Sequence, residues 1–315
     1  MLPKLICMCG LQGSGKSYKA KQLKEQLEKE DSNKRTIIVS SDQIRKDYLD
    51  ISHDNTKVFN KVYADMNYWL RQGDNVILDC TNLTNKSRRQ IFNNLQVDCY
   101  KICHIMNTPY GICVERVKQR NQDPNEHYVP EDILERYIQS FEIPFYAEGW
   151  DVIELDNIID FETSFENKQS LLQACDGFDQ KNKHHTQDLG QHMIYVGRTL
   201  AAKTENQMLI EAGYYHDIGK LFTQTIGDDG NCHYYNHDSV GTYNLMCNCA
   251  IYNIIDNSYE PYSTIAWLTY INYHMKLHQV KTEKAIRKWK NILGESLYEN
   301  LRLFEEVDKS RPDIV

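Results

Sequence analysis

The segment Gly10-Leu-Gln-Gly-Ser-Gly-Lys-Ser17 fits the pattern G-x-x-x-x-G-K-[ST] and constrains the fold more than any other part of the chain. It follows the apolar run Lys-Leu-Ile-Cys-Met-Cys at residues 4–9, which reads as a buried strand. Small or apolar residues at Ala20, Leu23 and Leu27 then read as a helix. A glycine loop between strand and helix lets backbone N–H groups curl around phosphate oxygens, and the helix N-terminus adds partial positive charge. In such a loop Gly10, Gly13, Ser14 and Gly15 form the cradle. Lys16 reaches the β- and γ-phosphates of a nucleoside triphosphate, and Ser17 offers its hydroxyl to Mg²⁺. The competing reading is a glycine-rich turn with no ligand.

The pattern continues in the same style up to about residue 155. Strand-like runs at 36–39, 75–78, 99–105 and 151–155 alternate with helical stretches at 58–70, 87–94 and 112–120, and another helix opens at Pro130. Such alternation predicts a parallel sheet with flanking helices. Beyond Asp156 the strand signal fades. Residues 157–182 are polar and mixed and read as a linker with one helix near Ser170–Cys175. From His184 onward the pattern is helical, with loops around 227–231 and 257–262. The fold class expected is an α/β P-loop domain over 1–156, the linker over 157–182, and an all-α domain over 183–315.

Charge and cysteine content exclude several classes. Residues 1–155 carry 21 Lys/Arg and 22 Asp/Glu, net −1, and residues 156–315 carry 15 and 22, net −7. Neither half has the basic excess of a protein that coats DNA, so a nucleic-acid substrate has to be gripped locally by a few arginines. The ten cysteines are scattered without paired C-x-x-C spacing and read as small buried hydrophobes in a reducing compartment. No apolar run approaches the ~18 residues of a membrane span. The short apolar start lacks a basic leader, so a cytoplasmic location without membrane contact is expected.

Two further strand ends face the crevice in which an open α/β sheet binds its ligands. The first is Ser40-Ser41-Asp42-Gln43-Ile44-Arg45. Asp42 is placed to take a proton from an attacking hydroxyl, and Arg45 to hold a substrate phosphate. The structural alternatives are a helix cap and a surface arginine. The second is Asp79-Cys-Thr-Asn-Leu83, followed by Arg88 and Arg89. Asp79 suits a Walker-B role, Thr81 and Asn82 suit acceptor positioning, and a plain cap at Asn82 or Thr84 competes. Arg116 and Arg120, ahead of Val129-Pro130, suit a lid over the triphosphate. A solvated helix face is the alternative there.

This set over about residues 4–155 resembles the polynucleotide 5′-hydroxyl kinase family. The resemblance implies that Asp42 is the general base and that Arg45 contacts the substrate phosphate. It further implies ATP or another NTP with Mg²⁺ as cofactor, and Thr81, Asn82 and Arg88 on the acceptor. One departure is the stretch 122–128, where relatives carry a further basic lid residue and this chain has only His127.

In the second half, His216-Asp217-Ile-Gly-Lys220 places an imidazole and a carboxylate side by side in a helical context, with Gly219 suited to ending a helix. Imidazole with carboxylate suits a divalent ion such as Mn²⁺, Ni²⁺, Fe²⁺ or Zn²⁺. Such an ion activates water and polarises a phosphate oxygen. The ordered set resembles the HD phosphohydrolase superfamily over about residues 184–315. That resemblance implies His192, His216, Asp217 and Asp308 as ligands. His237 and His274 take the place of additional histidines, for a second metal or for phosphate, and Lys220 that of a phosphate contact. His184 or His185 could replace His192, and Asp313 could replace Asp308.

The combination points to a bifunctional enzyme that heals RNA ends. A 5′-hydroxyl kinase would be joined to a 3′-phosphatase or 2′,3′-cyclic phosphodiesterase, acting on nucleic-acid ends ahead of a separate ligase. Two alternatives stand beside it: a small-molecule kinase fused to an HD nucleotidase, and a regulator that binds nucleotide without turnover.

Overall fold

The computed structural model describes residues 2–123, 128–181, 187–228, 230–250 and 261–310. It divides into two compact units. One comprises Met1–Leu134 with Glu148–Asn157, the other Glu135–Ala147 with Ile158–Val315.

The first unit runs β1 (Lys4–Cys9), α1 (Lys16–Glu30), β2 (Thr36–Ser40), α2 (Ser41–Asp47), α3 (Asn55–Arg71), β3 (Asn75–Asp79), α4 (Asn85–Asn94), β4 (Tyr100–Ile105), α5 (Tyr110–Arg120), the start of α6 (Glu131–Gln139), and β5 (Val152–Leu155). The five strands form one parallel sheet in the order β2-β3-β1-β4-β5. Every residue of β3 and nearly every residue of β1 is buried, as expected of central strands covered by helices on both faces. The chain leaves β1, skips a position to form β2, and returns to insert β3 between them. The carboxyl ends of β1, β3 and β2 therefore lie side by side.

Helix α4 opens with a capping box between Thr84 and Ser87. One turn in, Arg88 is fully buried. Its Nε and Nη2 donate to Glu148 Oε2 and Oε1 at 2.7 and 2.6 Å, and Trp150 Nε1 donates to Glu148 Oε2 at 2.8 Å. The pair fastens the turn after β3 to the segment leading into β5. Removing one member leaves the other charge buried and unmatched. Glu148→Ala should therefore lower unfolding stability by about 3–5 kcal/mol in chemical denaturation.

A second charge group, centred on the buried His104, joins β4 to β5. His104 Nδ1 lies 3.2 Å from Glu154 and Nε2 lies 3.2 Å from Asp156, which also pairs with Lys19 at 2.7 Å. Burial pushes the imidazole pKa down, but the hydrogen bonds to Asp156 and Glu154 outweigh it and the pKa is raised. A raised folded pKa gives stability that is fully present below the unfolded value of about 6.5. That stability is lost as pH rises through the folded value. Denaturation series across this window should show wild-type stability declining, and His104→Gln should lose that component of the slope.

The second unit contains the rest of α6, then α7 (Phe161–Cys175), α8 (Leu189–Lys203), α9 (Gln207–Gly213), α10 (Lys220–Thr223), the short hairpin β6 (Thr225–Ile226) and β7 (Cys232–His233), α11 (His237–Cys249), α12 (Pro261–Tyr273), α13 (Glu283–Leu293) and α14 (Glu295–Lys309). The helix expected near Ser170–Cys175 starts nine residues earlier, at Phe161, because Asp160 caps it by accepting from Thr163 N. The loop expected at 227–231 lies between the two strands of the hairpin, with residue 229 outside the described residues, and that at 257–262 falls mostly outside them. Asp188, Asn206 and Thr282 cap α8, α9 and α13 in the same way. Along α8 the buried stripe is Leu189, His192, Met193, Val196 and Leu200, so helical period alone turns His192 inward. On α14, Tyr298, Leu301, Phe304, Glu305 and Val307 are buried, and Asp308 lies one turn beyond Phe304.

Gly219 does not end a helix in the left-handed region; its φ is −60°. A Cβ there would stand 1.9 Å from the carbonyl oxygen of His237 and 2.8 Å from Gly241 N. The glycine is needed because the segment after His216-Asp217 touches the backbone of α11. No helix among the described residues is long and apolar enough to cross a membrane.

Candidate functional site

The loop after β1 is shaped by two left-handed glycines, Gly13 (φ 79°) and Gly15 (φ 93°). At Gly13 a side chain would also strike the carbonyl oxygen of Cys113 at 2.5 Å. Gly10 N donates to Thr81 O at 3.0 Å, tying the loop to the end of β3. Ser14 is buried behind the loop, with an Oγ that has no hydrogen-bond partner among the described residues. Lys16 Nζ donates to Leu11 O at 2.8 Å, curling over the loop. Burial lowers its pKa, against the opposing pull of Asp79 and Asp42. Ser17 Oγ donates to Asp79 Oδ2 at 2.6 Å. This hydroxyl–carboxylate pair, reached through the β3–β1 adjacency, is the arrangement that holds Mg²⁺ in P-loop enzymes.

These groups line a cleft of 260 Å³ that gathers Gly13, Gly15, Lys16, Ser17, Asp42, Asp79, Thr81, Arg116 and Arg120. Ser40 is the cap of α2, so Asp42 is an exposed first-turn residue whose carboxylate faces this cleft. Arg116 Nη1 donates to Gly13 O at 3.3 Å. Arg120 Nε is buried without a hydrogen-bond partner among the described residues. Three cations around a glycine cradle, beside a hydroxyl–carboxylate pair, fit a nucleoside triphosphate with its Mg²⁺.

Three expected residues stand apart from this cleft. Arg88 is locked to Glu148 in the interior. Asn82 sits in the left-handed region (φ 47°) and donates Nδ2 to Met8 O at 2.8 Å, so it shapes the turn. Arg45 is bound to Ser52 O and Asn55 Oδ1, both at 2.6 Å. Thr84, and not Asn82, is the cap of α4. Gln12, Tyr18 and Ser41 also line the cleft and were not singled out from the sequence. Gln12 occupies a variable position of the loop pattern, which carries no signal. His127 lies outside the described residues.

In the second unit eight side chains converge. Asp217 Oδ2 lies 3.4 Å from His192 Nε2, 3.3 Å from His216 Nε2 and 2.7 Å from Lys220 Nζ. Its Oδ1 lies 3.1 Å from His237 Nε2 and 3.7 Å from His274 Nε2. Asp308 Oδ1 lies 3.1 Å from His192 and 3.3 Å from His216. Asp308 Oδ2 meets His278 Nε2 at 3.3 Å; this histidine, in a short turn after α12, gave no sequence signal. Two buried ligand groups result, His192–His216–Asp217 and Asp217–His237–His274, with Asp217 common to both.

The tautomers follow from the hydrogen bonds. Nδ1 of His216, His237 and His274 lies 2.9, 2.8 and 2.7 Å from the carbonyl oxygens of Gly213, Tyr234 and Ile271. A carbonyl only accepts, so Nδ1 carries a proton and Nε2 is the atom turned to the cluster, where it donates to the carboxylates when protonated and would offer its lone pair to a metal. Burial pushes the His216 imidazole down, yet Asp217 and Asp308 beside it lift it to about 10. Burial opposes ionisation of both carboxylates, but Lys220, His216 and His237 hold Asp217, and His192, His216 and His278 hold Asp308, well below the usual range. A buried site that demands cations around two carboxylates, with oriented Nε2 atoms at ligand distance, fits a divalent metal. Lys220 is itself buried and also donates to Gln180 Oε1 at 2.9 Å. His184, His185 and Asp313 lie outside the described residues.

Residues 5–144 match the sequence profile of a family described as an AAA domain. No curated protein sequence matches the chain. Among solved structures it is similar to a chain of the "Pnkp1/Rnl/Hen1 RNA repair complex", with 20% identity and a TM-score of 0.38 over 44% of each chain. A second structure of that complex matches at 24% identity and a TM-score of 0.30, over 41% of this chain and 43% of the other. A gluconokinase from Sinorhizobium meliloti 1021 matches at 17% identity and a TM-score of 0.34, over 49% of this chain and 82% of its own. The chain thus spans less than half the length of the RNA-repair chains.

The first unit is a P-loop NTPase domain of the kinase-like kind. The second is a mainly helical unit, with one short hairpin, whose buried His/Asp cluster is of a kind that can hold a metal ion and is consistent with an HD-like domain. Because Asp217 belongs to both ligand groups, Asp217→Ala should abolish metal retention. His237→Ala should spare the His192–His216–Asp217 group and leave an intermediate metal content. Elemental analysis after Mn²⁺ loading and dialysis reads both.

Proposed function

We propose that the chain heals RNA ends with two independent sites: an NTP-dependent 5′-hydroxyl kinase and a metal-dependent 3′-phosphatase or 2′,3′-cyclic phosphodiesterase. The observation that carries this reading is the pairing, in one chain, of a triphosphate cleft faced by a free-standing carboxylate, Asp42, with a buried cluster suited to phosphoester hydrolysis. Ribonuclease cleavage that leaves a 5′-hydroxyl and a cyclic phosphate creates a need for both reactions, and their products are what a ligase joins.

In the kinase cleft Lys16 neutralises charge on the β- and γ-phosphates, and Ser17 and Asp79 would hold Mg²⁺, which would supply further charge neutralisation. Asp42 takes the proton of the 5′-hydroxyl as its oxygen attacks the γ-phosphorus. Arg116 and Arg120 stabilise the charge that develops on the transferring group. Thr81 orients the acceptor. Arg45 holds the acceptor phosphate, for which its guanidinium leaves Ser52 and Asn55. Asn82 and Arg88 act only by shaping the turn that carries Thr81.

In the second unit His192, His216, Asp217 and Asp308 hold one divalent ion, Mn²⁺, Ni²⁺, Fe²⁺ or Zn²⁺; bound there, it supplies Lewis-acid activation of water and of the phosphoryl group. His237 and His274 hold a second ion together with Asp217, or contact the phosphate themselves. Lys220 neutralises a phosphate oxygen. The cytoplasm is the matching compartment, since all ten cysteines are free and buried.

RNA with a 5′-hydroxyl and a 2′,3′-cyclic phosphate should be altered at both ends when ATP, Mg²⁺ and Mn²⁺ or Ni²⁺ are present; two unchanged ends would sink the proposal. Lys16→Ala should cut phosphate transfer by about 10²–10³-fold or more and spare the hydrolase. Asp217→Ala should do the reverse. Stronger competition by oligonucleotides than by mononucleotides separates RNA ends from small-molecule substrates.

A further inference from the structure

The carboxylate of Asp308 faces two ways. Its Oδ1 turns to the cluster, 3.1 Å from His192 Nε2 and 3.3 Å from His216 Nε2. Its Oδ2 turns to a further imidazole, 3.3 Å from His278 Nε2. His278 belongs to neither buried ligand group. With 18% of its side chain exposed, it stands nearer solvent than any histidine of those groups. Its Nε2 atom is nonetheless buried, and it has no hydrogen bond of regular geometry among the described residues. The Asp308 carboxylate is the group this nitrogen is placed to serve. An ionised carboxylate only accepts, so the contact puts the proton on Nε2 of His278.

The backbone fixes His278 in this position. It caps the short turn His274–Leu277. Leu277 is fully buried, and its carbonyl accepts from Val280 N at 2.9 Å. From α14, Lys309 Nζ donates to the carbonyl oxygen of His278 at 3.4 Å. Ring and backbone of His278 thus meet two successive residues of one helix, Asp308 and Lys309. The same turn starts with His274, whose Nε2 lies 3.7 Å from Asp217 Oδ1. One turn therefore reaches both carboxylates of the cluster, Asp217 through His274 and Asp308 through His278. A carboxylate with one oxygen on the ligand side and the other against a fixed donor loses its freedom to rotate. Donors placed behind a ligand in this way raise metal affinity by about 10–100-fold.

We propose that His278 is a positioning residue of the metal site: it holds Asp308 Oδ2, so that Oδ1 is presented beside His192 and His216. This rests on the reading of His192, His216, Asp217 and Asp308 as one set that holds a divalent ion.

Mn²⁺ is titrated into the metal-free full chain, and the paramagnetic resonance signal of the free ion gives the affinity. Wild type is compared with His278→Ala and His278→Gln. Alanine removes the donor. Glutamine keeps an N–H at similar reach, and an amide nitrogen does not ligate a divalent ion, so it separates donation from ligation. His278→Ala should weaken Mn²⁺ binding about 10–100-fold, and His278→Gln should recover most of the loss. Because His278 acts through Asp308, His278→Ala should cost little further affinity in a chain that already carries Asp308→Ala. Unchanged affinity in His278→Ala overturns the proposal. So does His278→Gln binding as weakly as His278→Ala, or an undiminished loss in the Asp308→Ala background. A wild-type chain that binds no Mn²⁺ sinks the metal reading itself and takes the proposal with it. Wild-type binding with any of the other adverse results removes the positioning role alone.

Discussion

Asp217 is the group on which the second unit turns. A lone carboxylate withdrawn from water is costly, and it stays ionised only if cations or donors surround it. Here four imidazoles and one ammonium supply them, from four places in the chain. His192 comes from α8, His216 and Lys220 from the segment after α9, His237 from the start of α11 and His274 from the end of α12. The two oxygens divide the work, one facing the His192–His216 side and the other the His237–His274 side. The helices are thereby gathered around a point charge as well as around apolar stripes, and the close backbone approach at Gly219 is the steric condition for bringing α11 near enough.

The first unit solves a related problem in another way. Its anion site is made from backbone, with Lys16 held over the loop by Leu11 O and Ser17 held to Asp79. Strand order does the assembly, because placing β3 between β1 and β2 sets Asp79, Thr81 and Asp42 along one edge. The Arg88–Glu148 pair then clamps the turn beyond β3 from below. The polar groups at the sheet's rim and the buried ion pair are separate devices, and both depend on the same short turn.

The sequence made the strands legible because central parallel strands are apolar on both faces, leaving short runs that end in polar residues. It made the phosphate loop legible because left-handed glycines at fixed spacing have few other uses. The histidines of the cluster were legible as types in an order, and helical period turned His192 inward. Arginines were the weak point. Arg88 and Arg116 look alike in the sequence, yet one is spent on Glu148, 60 residues away, and the other lies at the cleft. Nothing local distinguishes a guanidinium that meets a buried carboxylate from one that meets solvent. Gly219 was misjudged for a similar reason: its need is set by a distant carbonyl and not by its own φ. His278 was invisible because its partner, Asp308, is brought to it only by the packing of α14.

Two of the cluster's histidines have a second employment. Gly213 is the last residue of α9, and Ile271 lies in the last turn of α12. Carbonyls at such positions have no partner within their own helix. His216 and His274 donate Nδ1 to them, so each ring closes off a helix end with one nitrogen while its other nitrogen faces the cluster. Losing either ring frays a helix terminus as well as removing a ligand, whereas losing Asp308 leaves both ends closed. Ligand sets built this way cannot drift one residue at a time, because the metal-facing atom and the helix stop signal are the two sides of one imidazole.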